Sequence, residues 1–283
     1  MPGDVQITLK KFDITRITGD KVVVMIGRRN TGKSHMVKNL LYYHRDTPIA
    51  SVISPTERAN KFYSDIVPPL FIHDEYTPEV VERFCKRQEL VMNRVRKDEK
   101  LYRSSKVDPR GILIMDDCMY DSSWTKDKNV RMLFMNGRHY HVLFLITMQF
   151  PLGMPPNLRL QVDFVFILRD NIIQNRKKTY ESFAGMFRTF DMFCEVMDQC
   201  TENYECLVID ISAKSNRLED QVFWYRAETT PDFRLCSQIH WDRCNTVDED
   251  DMNEEDNQLQ DVNSIRPKKA PSFTVKKTGT SYT

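Results

Sequence analysis

The sequence predicts an α/β fold with a mainly parallel central sheet flanked by helices, and three observations predict it. Apolar runs rich in β-branched residues recur at 22–26, 49–53, 112–115, 142–146 and 164–168, unbroken by polar alternation, as strands covered on both faces require. Segments with apolar residues at helical spacing fall between several of these runs, so strand, helix and strand follow one another at the length of a right-handed crossover unit. The first run closes on Gly27-Arg28-Arg29-Asn30-Thr31-Gly32-Lys33-Ser34, a glycine-framed loop that needs a strand before it and a helix after it.

Taken in order, residues 1–20 alternate through Val5, Ile7 and Leu9 and then Phe12, Ile14 and Ile17, the pattern of an edge strand or hairpin. After the loop, Met36, Val37, Leu40 and Leu41 make one face of a helix. The run at 49–53 is the second central strand, and Leu70-Phe71-Ile72 a short further one. Residues 78–103 read as one long helix, with Phe84, Gln88, Val91 and Val95 on its inner face. Arg83, Arg87, Arg94 and Lys97 form a second stripe, either a track for a phosphate backbone or a solvated face paired with Glu79, Glu82, Glu89, Asp98 and Glu99. A third strand at 112–115 ends in Asp116-Asp117, a helix covers 128–135, and a fourth strand at 142–146 closes with Thr147-Met148-Gln149. Pro155 to Arg159 is a rigid turn, 164–168 a fifth strand, and 189–199 a helix whose Met192, Phe193, Val196 and Met197 are core. Residues 205–210 and 221–225 form a late hairpin turning at 212–216, with Trp224 and Tyr225 as interface aromatics or edge packing.

From about residue 245 the composition changes to an acidic block followed by a basic end rich in Ser, Thr and Pro. With few apolar residues to offset ordering entropy, 245–283 is expected to be a disordered charged tail behind a domain at 1–244. The tail either recruits a partner or only solubilises. The chain has 283 residues, 41% hydrophobic and 29% charged, with a net charge of +1, an ordinary globular composition. No apolar run is long enough to span a bilayer, and the start lacks a signal region, so a cytosolic location is expected. Seven cysteines without a C-x-x-C pair read as reduced thiols.

The loop's chemistry follows from its context. Backbone N–H groups of the loop and of the new helix point at the β- and γ-phosphates of a nucleotide. Lys33 neutralises phosphate charge, and the Ser34 hydroxyl holds Mg²⁺. Gly27, Arg28, Arg29, Asn30, Thr31, Gly32, Lys33, Ser34 and His35 are the candidate binding residues, with Asn30 able to take a left-handed backbone at modest cost, so the glycine-poor turn remains feasible. Two carboxylates at the end of a buried strand need a cation or a proton task. Asp116 is therefore the candidate Mg²⁺ contact and Asp117 the candidate base that polarises the attacking water. Gln149, at the rim where ligands bind in open sheets, either reads the γ-phosphate or caps the turn at Pro151.

These parts define a P-loop ATPase of the RecA-like (ASCE) division, in which an extra strand lies between the loop strand and the carboxylate strand. The run from Gly27 to Ser34, the strand ending in Asp117, and Gly137-Arg138-His139 followed by a strand and Gln149 resemble the DNA-packaging ATPases of nucleocytoplasmic large DNA viruses. These form the poxvirus-type branch of the FtsK/HerA superfamily. The resemblance covers roughly residues 15–230. It implies a homo-oligomeric ring of five or six subunits that hydrolyses ATP with Mg²⁺ to drive double-stranded DNA into a preformed capsid, docked on a capsid or portal-vertex protein. It also implies an arginine finger given to the neighbouring site, with Arg138 the first candidate and Arg159 the second. The place of action it implies is the host cytoplasm, in the viral factory, or the virion. One departure is Asp117, a methylene shorter than the Glu of the wider superfamily. The readings that compete are a helicase, a nucleotide-gated scaffold without turnover, and, on the loop alone, a small-molecule kinase.

Overall fold

The computed structural model describes residues 7–118, 122–151 and 154–244. The described residues up to 241 form one compact unit. The expected acidic and basic tail, like Val5, lies outside the described residues. Among the described residues of this unit, one sheet of nine strands has the order β1-β9-β8-β7-β2-β6-β5-β3-β4. The strands are β1 (Lys10–Lys11), β2 (Val22–Ile26), β3 (Ala50–Ile53), β4 (Ile72–His73), β5 (Gly111–Asp116), β6 (Val142–Met148), β7 (Phe164–Ile167), β8 (Glu205–Asp210) and β9 (Val222–Arg226). Every pairing is parallel except β7 with β8 and β8 with β9. The fold is the α/β class expected, with its late antiparallel hairpin.

The helices are α1 (Lys33–Tyr43), α2 (Glu57–Asn60), α3 (Pro78–Tyr102), α4 (Lys128–Asn136), α5 (Pro156–Arg159), α6 (Ile173–Phe183), α7 (Phe190–Cys200) and α8 (Leu218–Gln221). Side-chain alternation along β2 divides the interior into two apolar layers. Val22, Val24 and Ile26 join the face that also buries Val81 and Phe84 of α3, Leu133 of α4 and Phe193 of α7. Val23 and Met25 join the opposite face with Met36, Val37, Leu40 and Leu41 of α1. α3 starts with Pro at its first turn and ends at Arg103 in a left-handed conformation, while α7 is capped by Thr189, whose hydroxyl accepts from the Met192 N–H at 3.2 Å. Among the described residues no helix is long and apolar enough to cross a membrane.

Several expectations need correction. Among the described residues 7–20, the expected edge strand is short: β1 is two lysines paired in parallel with β9, and a 3-10 turn over Ile14–Arg16 follows. Asp13 stops the strand by accepting from the Thr15 N–H at 3.0 Å, an aspartate turn that competes with ladder pairing. Phe12 then turns inward, edge-on to Phe164, Phe166, Phe223 and Tyr225. The short strand expected at 70–72 begins later, because Pro69–Phe71 is a 3-10 turn. The connection between β8 and β9 is not a tight turn but carries α8, and the rigid turn at Pro155 is the one-turn helix α5. α6 leaves no helical signature in the sequence, for it buries only Thr179 and Phe183 and shows no apolar stripe. Tyr225 is core, its hydroxyl donating to Asn39 Oδ1 at 2.6 Å.

Candidate nucleotide site

β2 delivers the phosphate loop to the carboxyl end of the sheet. Gly27 donates its N–H to the Met148 carbonyl of β6 at 3.0 Å, which fixes where the chain leaves the sheet. A Cβ here would lie 2.8 Å from Thr31 Oγ1 and 3.0 Å from Leu168 Cβ, so only glycine fits this close turn. Thr31 in turn donates to the Arg28 carbonyl at 2.8 Å, closing the loop on itself. Asn30 is left-handed at φ 63°, as expected, and Gly32 at φ 96° precedes Lys33, the first residue of α1. No side chain caps this helix and its first turn holds no acid. Its free N–H groups and positive dipole end therefore face outward, the arrangement that attracts phosphate.

A cleft of about 420 Å³ opens over the loop, lined by Arg28, Arg29, Asn30, Gly32, Lys33, Ser34, His35, Thr56, Asn60, Asp116 and Asp117. This is the size of a small-molecule site. Of the expected loop residues, Gly27 and Thr31 stay out of the lining, engaged in the two bonds above. Thr56 and Asn60 went unnoticed in the sequence, because 54–64 is a segment without periodicity.

Consecutive residues of a strand face opposite ways, yet Asp116 and Asp117 reach the same cleft. The reason is local. Asp117 has φ 53°, so the chain turns out of the β conformation between the two carboxylates. Thr147 of β6, fully buried, locks the turn: its hydroxyl donates to Asp116 Oδ1 and accepts from the Asp117 N–H at 3.1 Å. Ser54, at the end of β3, donates to Asp116 Oδ2 at 3.2 Å. Tyr63, buried behind the site, presents its hydroxyl to Asp116; burial, then the charge of Asp116, push this phenol well above its ordinary value and keep it a donor. Glu57, buried at the start of α2, holds Tyr63 in place by accepting its N–H at 2.9 Å and the Ser64 N–H and hydroxyl at 2.9 and 2.7 Å. Two hydroxyls, those of Thr147 and Ser54, thus orient Asp116, and neither belongs to a recognisable motif.

β6 is inserted between β2 and β5, with Ile26 opposite Met148 and Asp116 opposite Thr147. Gln149, one residue beyond it, donates from Nε2 to Asp117 Oδ2 at 2.7 Å. Its amide nitrogen thus reaches the carboxylate, while the turn beyond Pro151 includes residues outside the described ones. One oxygen of Asp117 is thereby occupied, which fixes the direction of the other.

The arginines lie elsewhere. Arg138 is exposed and lines a small cavity with Asp20, Lys21 and Val22 at the amino end of β2, about 13 Å along the strand from Ile26 at ~3.3 Å per residue. Arg159 ends α5 with its Nε buried and unpartnered. On α3, Arg94 of the basic stripe pairs with Asp98 at 3.0 Å and Arg87 donates to the Gln88 side chain, so part of the stripe is engaged within the helix. In the segment 122–126, Trp124 is buried while Ser122, Ser123 and Lys126 are exposed. Among the described residues no cluster of three or more His, Cys, Asp or Glu is arranged to hold a metal ion.

Comparison with known proteins gives relatives in large DNA viruses. The chain is 40% identical to uncharacterized protein L437 of Acanthamoeba polyphaga mimivirus over 220 residues, 77% of each chain. It is 37% identical to uncharacterized protein 075L of Invertebrate iridescent virus 6 over 216 residues, 76% of this chain and 80% of that one. No family model matches the sequence. Among solved structures, the genome packaging NTPase B204 from Sulfolobus turreted icosahedral virus 2, in complex with AMP, superposes with a TM-score of 0.50 and 16% identity. The match covers 75% of this chain and all of that one. At that identity the likeness is one of fold.

Proposed function

This chain belongs to the family of large-DNA-virus proteins that includes mimivirus L437 and iridescent virus 075L, and we propose that it is an ATP-hydrolysing motor that drives duplex DNA into a preformed capsid. The observation that carries the reading is the single cleft in which Lys33 and Ser34 of the phosphate loop meet Asp116 and Asp117 of β5, with β6 between the two strands supplying Thr147 and Gln149. The shared fold with a genome packaging NTPase supports it.

The residues present fit a Mg²⁺-nucleotide. The uncapped helix end and the glycine-only turn leave backbone N–H groups for phosphate oxygens. Ser34 and Asp116 give Mg²⁺ two protein oxygens, and a cation that keeps several waters and takes phosphate oxygens needs no larger protein cage. When bound, Mg²⁺-ATP supplies the transferable phosphoryl group. Lys33 would neutralise its charge, and Ser34 and Asp116 would hold the metal. Asp117, with Oδ2 fixed by Gln149, turns Oδ1 toward the attacking water and draws its proton. Gln149 then senses whether that water is present, and β6 carries the change into the sheet.

Arg138 is too far from its own phosphate loop to act there, and a neighbour's cleft in a ring of five or six is where it would meet a γ-phosphate. Arg159, its side chain partly buried, is the weaker candidate. DNA would be gripped through phosphates by the exposed part of 122–126 and by the exposed arginines of α3, a contact without sequence preference that weakens steeply with salt. The partners are a capsid or portal-vertex protein, and the place of action the host cytoplasm or the virion.

The deciding experiment measures phosphate release by the full-length protein with and without linear duplex DNA, alongside the oligomer mass with ATP. DNA-stimulated turnover by a ring is expected. ATP binding without turnover, in either condition, would convert the protein into a nucleotide-gated scaffold, and strand separation would make it a helicase. A second expectation concerns Arg138. Mixed with an excess of Lys33→Ala subunits, Arg138→Ala subunits should regain part of their turnover. Intact mixed rings with no recovery would reduce Arg138 to a structural residue.

A further inference from the structure

Tyr204 stands in the turn between α7 and β8 with 67% of its surface exposed, and the edge of its ring rests on the phosphate loop. A Cβ at Gly32 would lie 3.2 Å from its Cδ1 and 3.8 Å from its Cγ. Asn203 and Tyr204 are both left-handed, at φ 50° and 63°, a conformation asparagine accepts readily and an aromatic residue seldom adopts. The surroundings hold the turn. Glu205 donates its N–H to the Glu202 carbonyl at 2.8 Å, and the Glu202 carboxylate pairs with Arg169 at 3.1 Å. Thr201 donates its hydroxyl to the Met197 carbonyl at 2.7 Å. Arg28 of the phosphate loop bonds Asn171 at 2.6 Å, so the exit of β7 is joined to the loop beside this turn.

The position along the sheet gives the turn a meaning. β7 and β8 lie on one side of β2, and β6 and β5 on the other. A nucleotide whose phosphates lie on Gly32 to Ser34 and whose terminal phosphate points toward Asp116 and Asp117 must send its nucleoside the opposite way, over the β7 and β8 side. Tyr204 presents an exposed aromatic face on that side, against Gly32.

We propose that the Tyr204 ring is the platform on which the base of a purine nucleoside di- or triphosphate stacks; this rests on the reading of the cleft as a nucleotide site. A π-face accepts any base, so the platform selects by stacking area. It takes adenine and guanine alike and favours both over pyrimidines.

Calorimetric titration of the full-length protein with Mg²⁺-ADP and with Mg²⁺-pyrophosphate tests this, since the two ligands share the phosphates and differ in the nucleoside. Tyr204→Ala should weaken ADP about 10-fold or more, within the range of one base stacked on one aromatic ring, and leave pyrophosphate unchanged. Tyr204→Phe should bind ADP as the native protein does, and GDP should bind the native protein within a few fold of ADP. An equal loss of ADP and pyrophosphate in Tyr204→Ala would show that the ring only supports the loop, and an unchanged ADP affinity would remove it from the site. If the native protein binds pyrophosphate as tightly as ADP, the platform fails while the phosphate site stands; if it binds neither, both readings fail.

Discussion

Lys33→Ala is expected to abolish ATP turnover by the full-length protein, lowering the rate by at least about 10³-fold, the scale on which preorganised charge acts on a phosphoryl group in a cleft. The side chain sits at the start of α1, half-buried at the cleft and holding no ion pair among the described residues, so the thermal transition should move little. Steady-state phosphate release beside a melting curve separates the two effects. A folded Lys33→Ala protein that turns over at even a tenth of the native rate would mean that the loop binds phosphate without serving a reaction.

Asp117→Asn should separate binding from hydrolysis. Gln149 Nε2 is a donor fixed 2.7 Å from Asp117 Oδ2, so the new amide must present its oxygen to Gln149. The NH₂ then faces the water, and a proton donor stands where the reaction needs an acceptor. Turnover should fall about 10²–10⁴-fold, the usual contribution of a positioned base, while the Kd for ATP stays within a few fold because Lys33, Ser34 and Asp116 are untouched. Single-turnover hydrolysis and equilibrium binding on the same preparation are the two measurements. Native-like hydrolysis would transfer the role of base to another group and leave Asp117 as a fold-closing residue.

What the sequence shows of this site follows distance along the chain. The phosphate loop is legible because a strand, a turn and a helix within about twenty residues must each have the right composition. Asp116 and Asp117 are legible because an apolar strand ends abruptly in charge. Ser54, Tyr63 and Thr147 are not, since a hydroxyl facing a carboxylate across the sheet leaves no trace in spacing. Tyr204 lies 172 residues from Gly32 and meets it only through the strand order. In the fold, the central parallel strands are unmistakable where both faces are buried. The margins are not, because α6 is polar almost throughout and Asp13 redirects a chain whose alternation looks like a longer strand.

The sheet ends at each side in a strand of two residues, and one of these is a pair of lysines. So little free backbone cannot template another chain. Copies of the chain can therefore crowd together without the described sheet adding strand to strand into a fibre.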